Sequence, residues 1–279
     1  MKKIFKKKVV AKSVVSAKPK KSSWLGALAF GNVIAFVVVL IVNYLAVSIP
    51  LGGMTTGALA DLYPNLFVPA ALTFSIWGVI YLLLFAFVIR QIVDFYKKKS
   101  SAITQKIWIW FLLSCVANIW WMFAWQYQQV LLSIVIMLAF LVILMVVAHK
   151  VHLGQRLGSL WDKYLVQVPF SMYLWRISVA TIANASAVLV HFGRGMRGIS
   201  DISWTILVII VATLIALWSL KKTANIIFAL VVVWAFVGII IKRISVDPVY
   251  AMSILWTLGI CIGVITTGIG LKFEQWRKN

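Results

Sequence analysis

The stretch WLGALAFGNVIAFVVVLIVNYLAV, residues 24–47, holds 24 consecutive residues without a single charge. At about 1.5 Å per residue a helix of that length crosses the roughly 30 Å of hydrocarbon in a bilayer. Nine lysines and no acid precede it in residues 1–23. A basic start before an apolar run also describes a signal peptide, but the run is too long for a cleaved apolar region. It reads as a first transmembrane helix behind a basic cytoplasmic tail, residues 1–23. Seven further spans follow at about 67–93, 107–126, 129–149, 163–190, 203–220, 223–241 and 249–271. Only the polar run Gln126 to Gln129 separates the third from the fourth, which requires a tight hairpin.

Composition agrees. Of 279 residues, 63% are hydrophobic and 12% charged, and mean hydropathy is +1.01. Soluble domains are about a quarter charged, so a soluble enzyme, a disordered chain and a disulfide scaffold are excluded. The expected fold is all-α: a polytopic transmembrane bundle of about eight spans. The net charge of +21 sits in tails and loops between spans, which suits anionic lipid headgroups rather than nucleic acid. With the N-terminus inside, 22 of the 27 basic residues fall on the cytoplasmic side. The outer loops hold only Arg194, Arg197, Lys242 and Arg243, and both termini are expected in the cytoplasm of a cell-membrane protein.

The one substantial outer loop, residues 48–66, belongs to the sequence IPLGGMTTGALADLYPNLFVP (residues 49–69). It has proline near both ends, glycines in its first half, one acid, Asp61, and no basic residue. Half-apolar composition suits a compact cap or short helix over the outer mouth better than a free linker. Cys115 and Cys261 lie inside apolar runs and read as packing residues.

All six acids fall in loops or at span ends. Proton-coupled transporters, intramembrane aspartyl proteases and di-metal carboxylate enzymes need a carboxylate at bilayer depth, so those classes are disfavoured. His149 and His152 are three residues apart at the inner end of the fourth span and read as an interfacial pair rather than a metal site. Arg176 is the one ionisable group deep in a span. At that depth it costs at least about 2.5–3.5 kcal/mol, so it must face the bundle, a wet cavity or an anionic ligand. Of the fourteen tryptophans, Trp24, Trp108, Trp110, Trp161, Trp204 and Trp276 sit near span ends, where aromatic belts form. Trp77, Trp120, Trp121, Trp125 and Trp175 lie deeper and are expected to line the outer half of the bundle. Asn118 and Asn184 share that depth, where an amide serves either as helix glue or as the polar edge of a ligand site. Aromatic walls, placed amides and one arginine suit a flat, amphipathic, anionic molecule.

These residues resemble the TspO/MBR family of tryptophan-rich sensory, or translocator, proteins. Pro69, Trp77 and Tyr81 keep the spacing that opens the family's second span. Asn118 and Trp121, then Trp125 and Tyr127, match its third. Tyr173, Leu174, Ser178, Ala180, Thr181 and Asn184 match its fifth. Phe74 stands one place later than the family's phenylalanine, and Arg176 occupies a family tryptophan's slot, with Trp175 before it. The resemblance covers residues 24–190 and implies a five-helix core that binds porphyrins or other hydrophobic ligands beneath the first loop. It also implies frequent dimerisation, so a second copy of the chain is a candidate partner. Residues 191–279 add three spans and a short cytoplasmic tail, with Gly259 and Gly263 as a GxxxG in the last span.

The expected function is a sensor, carrier or scavenger of a tetrapyrrole-like or other hydrophobic small molecule. Its pocket lies between spans one, two, three and five and is built from Trp77, Tyr81, Asn118, Trp121, Trp175, Arg176 and Asn184. No residue carries a cofactor signature, and porphyrin or haem enters only as a ligand. Two alternatives stay open: a uniporter or membrane enzyme acting on an isoprenoid, pigment or lipid, and a structural membrane subunit.

Overall fold

The computed structural model describes residues 23–63, 65–97, 102–153, 160–192, 200–223 and 225–278. The basic tail up to residue 22 lies outside them, as do Lys98, Lys99, Arg156, Arg194 and Arg197 and the side chains of Trp24, Phe74 and Trp276. Among the described residues, eight helices are long and apolar enough to span a membrane: α1 (Ser23–Ser48), α3 (Ile76–Tyr96), α4 (Ala102–Gln126), α5 (Val130–Lys150), α6 (Leu160–His191), α7 (Asp201–Thr223), α8 (Ile226–Val246) and α9 (Met252–Lys278). A ninth, short helix, α2 (Thr56–Asp61), lies in the loop after α1. Among the described residues there is no strand. In hydrocarbon every backbone N–H and C=O must be satisfied within its own segment, which leaves the helix as the form for such runs. The chain is an integral membrane protein, an all-α bundle of eight spans.

Side chains are sorted as a bilayer requires. The outer surface of α5 is Leu131, Leu132, Val135, Leu138 and Val142, all exposed, whereas Ser133 on its other side is buried. Asn32, Asn43, Ser114, Asn118 and Asn184 are likewise turned inward. Lipid gives apolar side chains no reason to leave it, so helices associate through close packing and buried polar bonds.

The second span starts later than the sequence suggests. Residues 67–70 are not helical, a 3₁₀ turn occupies Ala71–Ser75, and α3 begins at Ile76. Pro69 has no N–H to give, and the Ala70 N–H donates to the Gly238 carbonyl of α8 at 2.9 Å. The remaining boundaries move by a turn or two at most. The tight hairpin between α4 and α5 is present: Gln129 N–H donates to Ala124 O at 2.8 Å and Gln128 N–H to Trp125 O at 3.0 Å, with Gln128 at φ +56°. That is a Schellman C-cap, and His152 (φ +50°) closes α5 in the same way.

Two apolar cores result. The first joins α1, α3, α4, α5 and α6 around Phe36, Phe87, Phe111, Phe140 and Phe170. The second joins α7, α8 and α9 and includes Trp175 of α6 and Phe67 of the segment before α3. On the face away from α2, Arg90 pairs with Asp94 at 3.2 Å and with Asp162 at 2.7 Å, tying α3 to α6. Cys115 and Cys261 are buried free thiols. Trp108, expected in an interfacial belt, is fully buried, and its carbonyl accepts from Asn32 at 3.1 Å. The GxxxG glycines of α9 meet nothing where a Cβ would stand, so they do not pack within the chain.

Gln128 occupies a backbone region that costs a side-chain-bearing residue about 1–2 kcal/mol. Gln128→Gly should therefore raise the thermal midpoint in detergent, by the equivalent of about 1 kcal/mol. A lowered midpoint would mean that the Gln128 side chain holds the hairpin.

Candidate functional site

The expected loop cap is α2. Thr55 caps it, its Oγ1 accepting from Ala58 N–H at 3.2 Å. The cap sits on the end of α4: Gln126 Nε2 donates to Ala46 O at 2.9 Å and to Thr56 Oγ1 at 3.3 Å, and Trp125 Nε1 donates to Thr56 O at 3.4 Å. Gly52 lets the chain cross there, because a Cβ on it would overlap the Gln126 carbonyl.

Beneath the cap is a cavity of about 950 Å³, including its opening to the surroundings. Thr56 and Ala60 of α2 form its roof. Trp77 of α3 and Trp121 and Trp125 of α4 form one side, the last two stacked with centroids 6.3 Å apart at 15°. Trp175, Arg176 and Asn184 come from α6, and Val231, Trp234 and Ala235 from α8. Apart from Arg176 and a few amide and hydroxyl groups the lining is apolar, which is the composition of small-molecule sites.

Arg176 dominates the electrostatics. It is 6% exposed. Its guanidinium carbon lies 4.4 Å from the Trp77 ring centre, 5.6 Å from that of Tyr173 and 5.7 Å from that of Tyr81. Aromatic faces hold a cation well where water is excluded. Its Nε and Nη2 have no hydrogen-bond partner among the described residues. Every ion pair found there uses another cation.

Five of the seven residues picked from sequence line this cavity: Trp77, Trp121, Trp175, Arg176 and Asn184. Tyr81 and Asn118 do not. They belong to a polar chain below it, in which Tyr81 Oη donates to Asn43 Oδ1 at 2.8 Å, Asn43 Nδ2 to Asn118 Oδ1 at 2.8 Å, and Asn118 Nδ2 to Tyr173 Oη at 3.4 Å. The chain pins α1, α3, α4 and α6 together under Arg176, so Asn118 acts as helix glue. Asn184 combines both roles: it lines the cavity, and its Nδ2 donates to Ser133 Oγ of α5 at 3.0 Å. Trp175 is 3% exposed, with its ring edge-on to Phe228 of α8 at 4.7 Å. Trp120 points outward, 62% exposed, one residue from the inward Trp121. His149 and His152 are exposed, their ring centres 6.5 Å apart.

The walls also differ from expectation. No residue of α1 lines the cavity, and α8, one of the added spans, takes its place. Trp234 was discoverable: it lies midway along an apolar span, the same depth signal that singles out Trp77 and Trp175.

The fold and its cavity thus define an integral membrane protein with an aromatic, arginine-bearing pocket under a capped mouth. A family model described as TSPO-like protein matches residues 27–271, and the chain belongs to that family. The match runs on past α6 through the three added spans. Membership makes the chain a membrane ligand-binding protein in general terms. No curated protein and no solved structure matches it.

A buried cation without a counter-ion is a liability to the empty protein. Arg176→Leu should therefore raise the unfolding midpoint in detergent without added ligand. A drop would assign the arginine a structural role through its three aromatic neighbours.

Proposed function

We propose that the chain binds a tetrapyrrole-like or comparably flat, amphipathic, anionic molecule in this cavity, as a sensor, carrier or scavenger. The observation that carries this reading is the pair of unpartnered nitrogens on Arg176. Nε and Nη2 are adjacent on one edge of the guanidinium, the edge that takes both oxygens of a carboxylate side by side. Here that edge is buried, on a residue that lines a largely apolar, tryptophan-rich cavity. An anionic group seated on it would neutralise the charge, while the apolar body would lie against the indoles of Trp77 and Trp121. A porphyrin, with carboxylates on one side of a flat ring, has this shape.

Protoporphyrin IX and its dimethyl ester differ only in that anionic group. Titrated into the detergent-purified protein, the free acid should quench tryptophan fluorescence saturably. A charged hydrogen bond contributes about 1.5–3 kcal/mol, so the ester should bind about 10- to 100-fold more weakly. Arg176→Gln should remove the difference. Equal binding of acid and ester by the unaltered protein would overturn the reading.

The cavity mouth is further inferred to face away from the cytoplasm of a cell membrane, because most basic residues lie at the opposite ends of the spans. Both native cysteines are buried, so a cysteine placed at Thr55 can report alone. It should react with an impermeant maleimide on intact cells, and reaction only after permeabilisation would reverse the orientation.

A further inference from the structure

The seventh span, α8, meets the cavity and the entrance to α3 along one stripe. Val231, Trp234 and Ala235 line the cavity, and Gly238 and Lys242 continue the same face at helical spacing. Each of the last turns has a partner across the gap. Trp234 Nε1 donates to the Thr73 carbonyl at 3.2 Å, the Gly238 carbonyl accepts from Ala70 N–H at 2.9 Å, and Lys242 Nζ lies 2.9 Å from Asp61 Oδ1. Gly238 makes this approach feasible, since a Cβ there would stand 2.9 Å from the Thr73 Cβ and closer still to its hydroxyl.

Trp234 is held by its edge and lines the cavity. The bond to Thr73 O fixes the indole by its N–H, yet 38% of the residue stays exposed. Trp175, which lines the same cavity, is 3% exposed and closed edge-on against Phe228. A side chain that lines the cavity with its N–H already committed offers an incoming molecule one thing, a flat aromatic surface.

We propose that Trp234 is a specificity-determining residue of the ligand site. From the added part of the chain it supplies the wall that favours a planar apolar body over a thread-like one of equal charge. This rests on the proposed anionic ligand and adds the shape criterion and the span that applies it. The site is then shared between the five-span core and the last three spans.

The test compares two carboxylate probes, protoporphyrin IX and oleate. The first is followed by its Soret band on the full-length protein in detergent, the second by competition with it. Trp234→Ala should weaken protoporphyrin IX about tenfold and oleate less than twofold. Trp234→Phe, which keeps a ring, should stay within about threefold of the unaltered protein for both. Trp256→Ala, on the exposed side of α9, should change neither. If Trp234→Ala fails to fold on gel filtration, Ala235→Leu adds bulk to the same wall and should weaken the porphyrin more than oleate. Unaltered porphyrin affinity in these variants would overturn the assignment, as would an equal loss of both probes. If the unaltered protein binds neither probe, the anionic-ligand reading itself fails, and the role of Trp234 falls with it.

Discussion

Carrying a guanidinium to the middle of a membrane span costs about 2.5–3.5 kcal/mol or more, and α6 does so with no ion pair to Arg176 among the described residues. Much of the surrounding architecture follows from that constraint. Three aromatic rings from α3 and α6 enclose the charge. Two of them, Tyr81 and Tyr173, end a chain of amides that binds four helices together. Phenol and amide groups therefore fix the rings, and the rings hold the cation. Two nitrogens of the guanidinium stay without a partner among the described residues, on a residue that lines the aromatic cavity under the cap, which is a poor choice for stability alone.

The second organising feature is the seam between the two cores. Trp175 and Arg176 are neighbours in sequence, but the first is a member of the α7–α9 core and the second is embraced by α3. Asn225, which caps α8 through Phe228 N–H, also donates to Ser171 Oγ of α6 at 2.6 Å. The cavity occupies the loop-side part of the same seam. Helix α6 is thus shared by both cores, and the TSPO-like match runs through both as well.

What the sequence reveals and conceals follows from the bilayer as a solvent. Span number, the hairpin at Gln126–Gln129, the capped loop and the depth of each tryptophan can be read because length and position along a helix survive in one dimension. Rotation about the helix axis does not. A soluble helix advertises its buried face by polarity on the other side, whereas Trp120 and Trp121 stand in a largely apolar span, where only a few small polar groups, such as Asn118 one turn before Trp121, mark the inward face. The same ambiguity put Tyr81 and Asn118 in the cavity wall rather than in the polar chain below it, and Trp108 at an interface rather than in the core. The late start of α3 was hidden for a different reason: the partner of Ala70 is Gly238, 168 residues further along the chain. Trp234 lies beyond the five spans that the resemblance covers.

The cap helix has unequal attachments. Toward α4 it is joined by Gln126, Trp125 and the close crossing at Gly52. Toward α8 the tie is the ion pair of Asp61 with Lys242, whose carboxylate side chain is 66% exposed, and such pairs contribute at most about 1 kcal/mol. Mechanically, then, α2 is a flap hinged on the first core. If the last three spans shifted as a unit, the flap would stay with α4, while the segment before α3, bonded to α8 through Ala70 and Thr73, would be drawn the other way.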